Sequence, residues 1–447
     1  IFESQLFNLI EDDGEVDYDY EEEEDYDYDE LIWDEDAFET SEEYVEYINR
    51  VDGVTENGDT YKLRRSTANG FIDLLTPTVG TKYDTIYFGE DAHPIQNYLP
   101  VGDEIYTLHH SLVDERDAYL MKRKANKTFS GETNMAGFAH GQTFEQVKYK
   151  GKEYYLLAGK ASGEFSKNIV FMKRNKFEEL FSSESINFND WNKEKPIFTR
   201  LCGLEYSNEK AKKRGKLTRA DAALTADGKV LVIWKQLFVK KEENSHINEI
   251  SFYDMNKVNK YLFKKDKKTM KGIISFNGKY KNKLARACIG SIRENYKRRT
   301  DNSKRILQPE GSFQAIDVEW MKDTENRLQV YVTSGNENKD LNPHAKSSRK
   351  KNLTVMYLDC VLSKGKLNKC TAYRNLVTCN KNEMGDTINS ESTLEIEGCH
   401  VMGDLLHYVI VPSGKVKKGT QFIYYIPVSS FNDEKNKEKE LKIGKTN

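Results

Sequence analysis

The sequence predicts an all-β fold, a five-bladed β-propeller preceded by an acidic N-terminal extension. Two observations predict it: a hairpin pattern followed after some 8–20 residues by one more apolar strand occurs five times, and helical periodicity is almost absent beyond residue 51. A unit of three or four strands cannot bury both of its faces alone, so five such units favour radial stacking. Two β-sandwiches are the alternative, but they do not require five equivalent units.

The five units follow one another with uneven spacing. In the third, LTRADAALTADGKVLVIWK at 217–235, apolar residues alternate, a turn follows at ADGK, and a dense β-branched run completes the hairpin. The whole units cover 94–122, 140–173, 217–254, 312–359 and 390–428, with the excess length in insertions at 174–216, 263–311 and 336–352. Two stretches, NKFEELF at 175–181 and YDMNKVNKYL at 253–262, predict short helices. We therefore assign the propeller to 80–432, an extension to 1–60 and a charged tail to 433–447.

Charge divides the chain into an acidic arm and a basic body. Residues 1–50 contain 22 Asp and Glu and one Arg, a net charge of −21, and the remaining residues carry +17. An acidic, Tyr-rich run of this kind is solvated by default, with a short helix predicted at 40–51. The alternative is that the arm docks on the basic body through the bulky apolar residues that flank the acidic run. The first residue, Ile1, suggests a processed form, and no apolar run of about 18 residues predicts a membrane span.

A polar residue precedes the apolar alternation in each unit. Because the first strand of a propeller blade lines the central channel, these side chains are predicted to form a ring there. One hypothesis is that the ring binds a ligand, and the other is that it satisfies crowded backbone groups near the axis. The five residues of the predicted ring are Gln96, Gln142, Asp221, Gln314 and Thr393.

Sequence motifs of catalysis, metal binding and cofactor binding are missing. The eight histidines include no HExxH pair, the six cysteines no C-x₂-C pair, and the sequence contains no G-x-S-x-G elbow, P-loop or dinucleotide fingerprint. We therefore predict no metal, no cofactor and no enzyme. The enzyme alternative is glycoside hydrolysis, which needs two carboxyl groups about 5–10 Å apart. Its candidate carboxyl groups are Glu145, Asp221, Asp317, Glu319 and Glu395.

Four of the six cysteines lie between 360 and 399. This clustering suits one or two local disulfides in a secreted protein. The alternative is that the cysteines are small buried apolar residues within strands.

Four segments resemble the helveticin J family, which comprises large heat-labile bacteriocins of lactic acid bacteria. They are HGQTFE at 140–145, TRLCGLEYSNEKAKKRGKLTRADAALTADGKVLVIW at 199–234, SFQAIDVEW at 312–320 and STLEIEGCHV at 392–401. The resemblance implies a secreted, bacteriocin-like protein that damages related bacteria. Two histidine-containing blade openings of that family are here Thr218-Arg219 and Glu391-Ser392, and the acidic arm, the basic insertions and the cysteines have no counterpart in it.

Lysine and arginine cluster in the insertions, where loops on a rigid scaffold often bind partners. Such clusters suit an anionic polymer or membrane surface, whereas the absence of a recognition module disfavours nucleic acid. We therefore predict an extracellular propeller that binds an anionic or glycan component of bacterial envelopes and damages the cells, with the acidic arm as an intramolecular competitor or a solubiliser. A propeller glycoside hydrolase and a non-killing lectin are the alternatives. The basic candidates are Lys264, Lys265, Lys267, Lys268, Lys297, Arg298, Arg299, Arg349, Lys350 and Lys351.

Overall fold

A computed structural model gives the structure of the chain, whose strands are numbered here in chain order. The structure describes residues 51–52, 62–67, 70–75, 78–87, 94–111, 116–124, 129–138, 140–162, 165–182, 185–188, 198–240, 245–262, 272–297, 305–308, 313–335, 353–379, 393–413 and 420–444. The acidic run and the helix predicted at 40–51 lie almost wholly outside these residues. Ahead of the propeller, β1 (Val51–Asp52), β2 (Lys62–Thr67) and β3 (Gly70–Leu75) form a small antiparallel sheet.

Blades 1 and 2 are five-stranded sheets whose outermost strand pairs parallel to its neighbour. From the axis outward, blade 1 contains β5 (Ile95–Val101), β6 (Glu104–His110), β7 (Ala118–Lys124), β8 (Phe129–Ala136) and β12 (Ser185–Asn187). In the same direction, blade 2 contains β9 (Phe144–Tyr149), β10 (Lys152–Ser162), β11 (Phe165–Lys173), β13 (Phe198–Cys202) and β17 (Ile273–Ser275).

Blades 3 and 4 each include a short strand from the C-terminal segment. Blade 3 contains β14 (Lys216–Leu224), β15 (Val230–Lys240), β16 (Ser245–Asp254), β18 (Cys288–Lys297) and β27 (Ile443–Gly444). Blade 4 contains β19 (Phe313–Trp320), β20 (Arg327–Ser334), β21 (Leu353–Ser363), β22 (Lys366–Cys379) and, beside β22, β26 (Lys437–Glu440). Residues 437–444, part of the segment predicted as a charged tail, thus pair with two blades.

Blade 5 closes the ring with a strand from the other end of the chain. It contains β23 (Thr393–Met402), β24 (Leu405–Ser413), β25 (Thr420–Pro427) and, outermost, the N-terminal β4 (Thr78–Tyr87). The five inner strands contact one another in the order β5, β9, β14, β19, β23, and β23 returns to β5. The predicted five-bladed propeller is therefore confirmed.

The hydrophobic core consists of five clusters, one between each pair of neighbouring blades. Alternation along the strands produces this division, because successive side chains point to opposite faces of a sheet. In β15, Leu231 and Ile233 pack towards blade 2, whereas Val232 and Trp234 pack towards blade 4. The blade sequences are therefore apolar on both faces and lack the simple apolar–polar alternation of a half-exposed sheet.

Short helices occupy some of the connections between blades. They are α1 (Arg174–Leu180), α2 (Met255–Leu262) and α3 (Lys281–Ala287), of which the first two were predicted from the sequence. Helices of seven or eight residues cannot cross a membrane, and the described part of the chain contains no longer one.

All six cysteines are free thiols in the structure, and five of them are buried. Cys360 and Cys370 lie directly opposite each other in β21 and β22, with their Sγ atoms 2.9 Å apart. The cysteines thus occupy strands as small buried side chains, which was one of the two sequence hypotheses.

Candidate functional site

The inner strands of four blades carry irregularities near the axis. The antiparallel register skips Gln96 in β5, Thr218 in β14, Gln314 in β19 and Glu397 with Gly398 in β23. A β-bulge redirects the side chain of the unpaired residue. Gly398 also allows a close approach, because a Cβ atom there would lie 2.4 Å from Asn97 Oδ1 in blade 1. The bulges thus present polar side chains at the positions where the blades meet.

Polar side chains from all five blades meet in one network, which we call the axial cluster. At its centre, Gln142 Nε2 lies 2.7 Å from Gln96 Oε1, 3.3 Å from Gln314 Oε1 and 3.2 Å from Glu397 Oε2. Gln314 Nε2 in turn donates to Glu395 Oε1 at 2.5 Å. The axial cluster comprises Gln96, His140, Gln142, Arg219, Asp221, Gln314, Glu395 and Glu397.

Arg219 links three blades through its guanidinium group, although its side chain is only 4% exposed. Its Nε donates to Asp221 Oδ2 at 3.1 Å, one terminal nitrogen donates to the Phe313 carbonyl at 2.9 Å, and the other donates to Gln142 Oε1. The guanidinium carbon also lies 4.5 Å from the ring centroid of Phe165 and 4.9 Å from that of Phe313. This arrangement satisfies a buried cation with a carboxylate, two oxygen acceptors and two aromatic faces.

Asp221 holds blade 2 against blade 3. Its Oδ1 accepts hydrogen bonds from Gln142 N at 2.9 Å, Thr143 N at 3.1 Å and Thr143 Oγ1 at 2.9 Å. Burial raises the pKa of Asp221, although Arg219 and Thr143 oppose the rise. With both carboxylate oxygens in use, Asp221 positions Gln142 and Arg219.

Half-buried side chains adjoin this network and include His140, Phe165 and Glu395. His140 Nε2 is hydrogen-bonded to Gln96 Oε1, and the His140 ring stacks 4.4 Å from that of His110 and 5.6 Å from that of Phe165. Burial, with a contribution from Arg219, lowers the pKa of His140 to about 3. His140 is therefore a neutral hydrogen-bonding group at physiological pH.

Two glutamates of blade 5 differ in their surroundings. Glu397 is 3% exposed, whereas Glu395, two residues earlier, is half-buried. Burial raises the pKa of Glu397 well above its ordinary value, and the charge of Glu395 raises it further. Of the two, Glu397 is the carboxyl group whose burial disfavours the ionised form.

Acidification from pH 7 to 5 is expected to destabilise the folded protein through His140. Because its folded pKa of about 3 lies below the ordinary 6.5, only the unfolded chain binds this proton between those values. The contribution of His140 to stability therefore falls as the pH drops below 6.5, by up to about 1.4 kcal/mol per pH unit, whereas the buried carboxyl groups with raised pKa values contribute with the opposite sign. Urea unfolding at pH 7, 6 and 5 should give a shallower decline for His140→Gln than for the wild type, although Arg219 and His110 still face the site. Equal slopes would contradict this assignment.

A second group, which we call the inner trio, lies on the same inner strands. It consists of Glu145 in β9, Asp317 in β19 and His400 in β23, all buried. Burial and the charge of Asp317 raise the pKa of Glu145 well above its ordinary value, and burial raises that of Asp317 to about 7. Burial, with a contribution from His407, lowers the pKa of His400 to about 4. The chain thus buries two carboxyl groups and a neutral imidazole together.

Four of the five predicted ring residues, Gln96, Gln142, Asp221 and Gln314, lie in the axial cluster. The fifth, Thr393, lies at the start of β23 and pairs with Ser413, and its side chain lies outside the described residues. In blade 5, Glu397 occupies the corresponding place in the axial cluster and accepts a hydrogen bond from Gln142 Nε2. Sequence reasoning also missed Arg219 and His140. Of the predicted hydrolase carboxyl groups, Glu145 and Asp317 meet in the inner trio, whereas Glu319 accepts a hydrogen bond from Ala226 N at 2.9 Å.

Most of the basic candidates lie outside the described residues. Lys264, Lys265, Lys267, Lys268, Arg298, Arg299, Arg349, Lys350 and Lys351 all do. The tenth, Lys297, is exposed at the end of β18. Binding of an anionic partner by these clusters, and docking of the acidic arm on them, stay predictions.

No protein-family model matches the sequence, and no curated protein matches it significantly. Among solved structures, a GH43 endo-arabinanase from Bacillus licheniformis is 10% identical, with a TM-score of 0.34 over 76% of this chain and 96% of that one. An endo-1,5-α-L-arabinanase from Thermotoga petrophila is 8% identical, with a TM-score of 0.24 over 75% of this chain and 84% of that one. A Staphylococcus aureus phage tail fibre is 8% identical, with a TM-score of 0.22 over 90% and 99%. The assignment of a ligand therefore depends on the axial cluster itself.

Proposed function

We propose that this protein is a glycan-binding propeller whose axial cluster recognises a carbohydrate of the bacterial envelope. One observation carries the proposal: amide, carboxyl, guanidinium and imidazole groups from five blades converge on one hydrogen-bonded network. His140, Phe165 and Glu395 adjoin the network and are less buried than the amides at its centre. A few convergent polar groups beside aromatic side chains are typical of small-molecule and cofactor recognition.

Neutral amides suit a ligand rich in hydroxyl groups, because a hydroxyl both donates and accepts a hydrogen bond. Gln142 Nε2 has two hydrogens but faces three oxygen acceptors, those of Gln96, Gln314 and Glu397. Gln96 Oε1 is also hydrogen-bonded to His140 Nε2, so the network is rich in acceptors and suits a ligand group that can donate. The Phe165 ring, which packs against Arg219 and His140, adds an aromatic side chain beside these groups.

The bacterial envelope enters the proposal through the helveticin J resemblance of the segments around the axial cluster. All four segments contain cluster residues: His140 and Gln142 lie in the first, Arg219 and Asp221 in the second, Gln314 in the third, and Glu395 and Glu397 in the fourth. Secretion and damage to target cells stay predictions.

Binding measurements test the proposal directly. We expect the full chain to bind at least one member of a panel of peptidoglycan fragments, teichoic acids and neutral wall glycans in calorimetry. Glu395→Gln and Phe165→Ala should each weaken that binding by at least about tenfold, which corresponds to about 1.4 kcal/mol. Glu440→Gln is the matched control, because it makes the same carboxyl-to-amide change on exposed β26, where Glu440 pairs with Lys369 at 2.7 Å.

Two results would oppose the proposal. A folded wild type that binds no glycan of the panel would remove carbohydrate recognition, and unchanged binding in both cluster variants would place recognition elsewhere on the protein. Circular dichroism and thermal unfolding of each variant would show that a loss of binding is not a loss of fold.

Glycoside hydrolysis is the second candidate, and the Glu395–Glu397 pair favours it. Neighbouring carboxyl groups with different surroundings are the arrangement that separates a proton donor from an ionised carboxylate. Buried Glu397, with its raised pKa, suits the donor, and half-buried Glu395 suits the carboxylate. Hydrolysis predicts release of reducing ends from a bound polysaccharide and at least a 100-fold loss of rate in Glu397→Gln. Binding without any release of reducing ends would exclude hydrolysis, and glycan binding would be the remaining function.

A further inference from the structure

The inner trio lies on three of the inner strands that also carry the axial cluster, three residues farther along the sequence. Each of its members follows a cluster residue by three positions: Glu145 follows Gln142, Asp317 follows Gln314, and His400 follows Glu397. The three strands belong to blades 2, 4 and 5. Side chains from three separate sheets are thus directed to one place beside the axis.

The ligand-type atoms of the trio are close together and shielded from solvent. One atom from each residue lies within 4.8 Å of the other two, and His400 Nδ1 is 3.6 Å from Glu145 Oε1. The relative exposures of Glu145, Asp317 and His400 are 8%, 4% and 4%. A single small ion is the kind of ligand that such a spacing can surround.

Backbone groups orient one member of the trio while another has an unused polar atom. Asp317 Oδ1 accepts from Val318 N at 2.8 Å, and Asp317 Oδ2 accepts from Val401 N at 2.5 Å. Within the described part of the chain, the buried His400 Nε2 atom has no hydrogen-bond partner. Fixed carboxylate orientation is typical of metal ligands, whose partners outside the coordination sphere hold them in place. The nitrogen that faces Glu145 is Nδ1, so the unpartnered Nε2 is a second, separate atom of the same buried ring.

Two buried carboxyl groups side by side repel each other when both are ionised, and a cation between them would remove that cost. We propose that Glu145, Asp317 and His400 bind one divalent transition-metal ion, with Zn²⁺ as the best match. One imidazole and two carboxylates form a three-residue ligand set of the kind that binds zinc with a fourth position left for another ligand. Calcium is a poorer match because it takes six to eight oxygen ligands. The ion would tie blades 2, 4 and 5 together across the channel.

Metal loading of the full chain tests this site without any assay of activity. After treatment with a chelator and dialysis, the protein should take up one Zn²⁺ per chain by elemental analysis and calorimetry. Saturating zinc should raise the Tm by about 5 °C, because the ion binds only the folded state. Co²⁺ should give visible d–d absorption from a site with one nitrogen and two carboxylate ligands.

Substitutions locate the ion. Asp317→Asn and His400→Gln should each weaken zinc binding by at least tenfold and abolish the cobalt spectrum, as expected for loss of one ligand of three. Glu319→Gln is the control on the same strand, because the Glu319 carboxylate bonds to Ala226 N and Trp320 N, although its charge acts on Glu145 and Asp317. It should keep the stoichiometry of one zinc ion and the cobalt spectrum of the wild type.

Two outcomes would overturn the proposal. A folded wild type that takes up no zinc at micromolar concentration would make the trio a pair of carboxyl groups that share a proton beside a neutral histidine. Unchanged zinc stoichiometry and affinity in both ligand variants would place the ion elsewhere in the protein. A variant that fails to fold is replaced by Glu145→Gln, for which the same tenfold loss is expected.

Discussion

Arg219→Met is expected to lower the free energy of unfolding by about 3–5 kcal/mol, as removal of one member of a buried ion pair does. The methionine fills much of the volume between Phe165 and Phe313 but leaves Asp221 Oδ2, the Phe313 carbonyl and Gln142 Oε1 without their donor. Because those acceptors belong to three blades, the loss should also loosen the axial cluster. Urea unfolding measures the first effect, and glycan calorimetry should show a loss of at least tenfold in affinity.

Two further variants distinguish the effect of the buried, planar guanidinium group from that of its positive charge. Arg219→Lys keeps the cation but cannot serve three acceptors with a planar fork, so it should lose part of the stability and most of the binding. Arg327→Met is the matched control, since the Arg327–Asp359 pair is bidentate but its arginine is 40% exposed. Its expected cost is at most about 1 kcal/mol. Similar losses for Arg219→Met and Arg327→Met would contradict the special role of the buried arginine.

The number and the class of the blades could be predicted because the three innermost strands of each blade follow one another in the sequence. Hairpin turns and the following strand lie within one segment, so alternation and turn residues are sufficient to find them. The pairing that completes blade 5 was not predicted, because β4 and β25 are far apart in the sequence and pair only in the folded ring. The pairing of β26 with blade 4 and of β27 with blade 3 was not predicted, for the same reason.

The ring of polar residues could be predicted where the inner strand is regular or bulges by one residue, as at Gln96 and Gln314. Blade 5 differs because two residues, Glu397 and Gly398, interrupt its register, and the alignment therefore selected Thr393. The signal that could have corrected it was the Glu-Gly pair within an otherwise apolar strand, since glycine inside a strand often marks a bulge or a close approach.

The inner trio was missed because motif searches rely on ligands that are close in sequence. Glu145, Asp317 and His400 come from three blades, so no local spacing connects them. Each of them follows a residue of the axial cluster by three positions. This regularity can be seen only when the inner strands are aligned and the bulge at Glu397 is known. Two of the three residues, Glu145 and Asp317, could be selected from the repeated hairpins alone, and His400 could not.

One lysine of blade 3, next to the segment at 199–234, forms a buried ion pair. Lys235 and Glu249 have fully buried side chains with Nζ and Oε1 2.8 Å apart. Lys235 Nζ also donates to Ser207 Oγ at 2.8 Å and Ser251 Oγ at 3.1 Å, and to the Ser207 carbonyl. The ammonium group therefore attaches the loop around Ser207 to the face of blade 3.

Lys235→Met is expected to lower the free energy of unfolding by about 3–5 kcal/mol, because Glu249 Oε1 would remain buried without its cation. The double variant Lys235→Met with Glu249→Leu should recover part of that loss, since apolar residues of similar volume often replace a buried pair at little cost. Arg293 and Arg214, which also contact Glu249, keep Glu209 as a partner in the double variant. Lys229→Met controls for loss of charge, because the Lys229 side chain is 62% exposed and solvent screens its pair with Asp227, which should contribute little to stability. Strictly additive losses in the double variant would show that Lys235 and Glu249 do not act as a pair, and the stability of blade 3 would then have to come from the packing of its apolar faces alone.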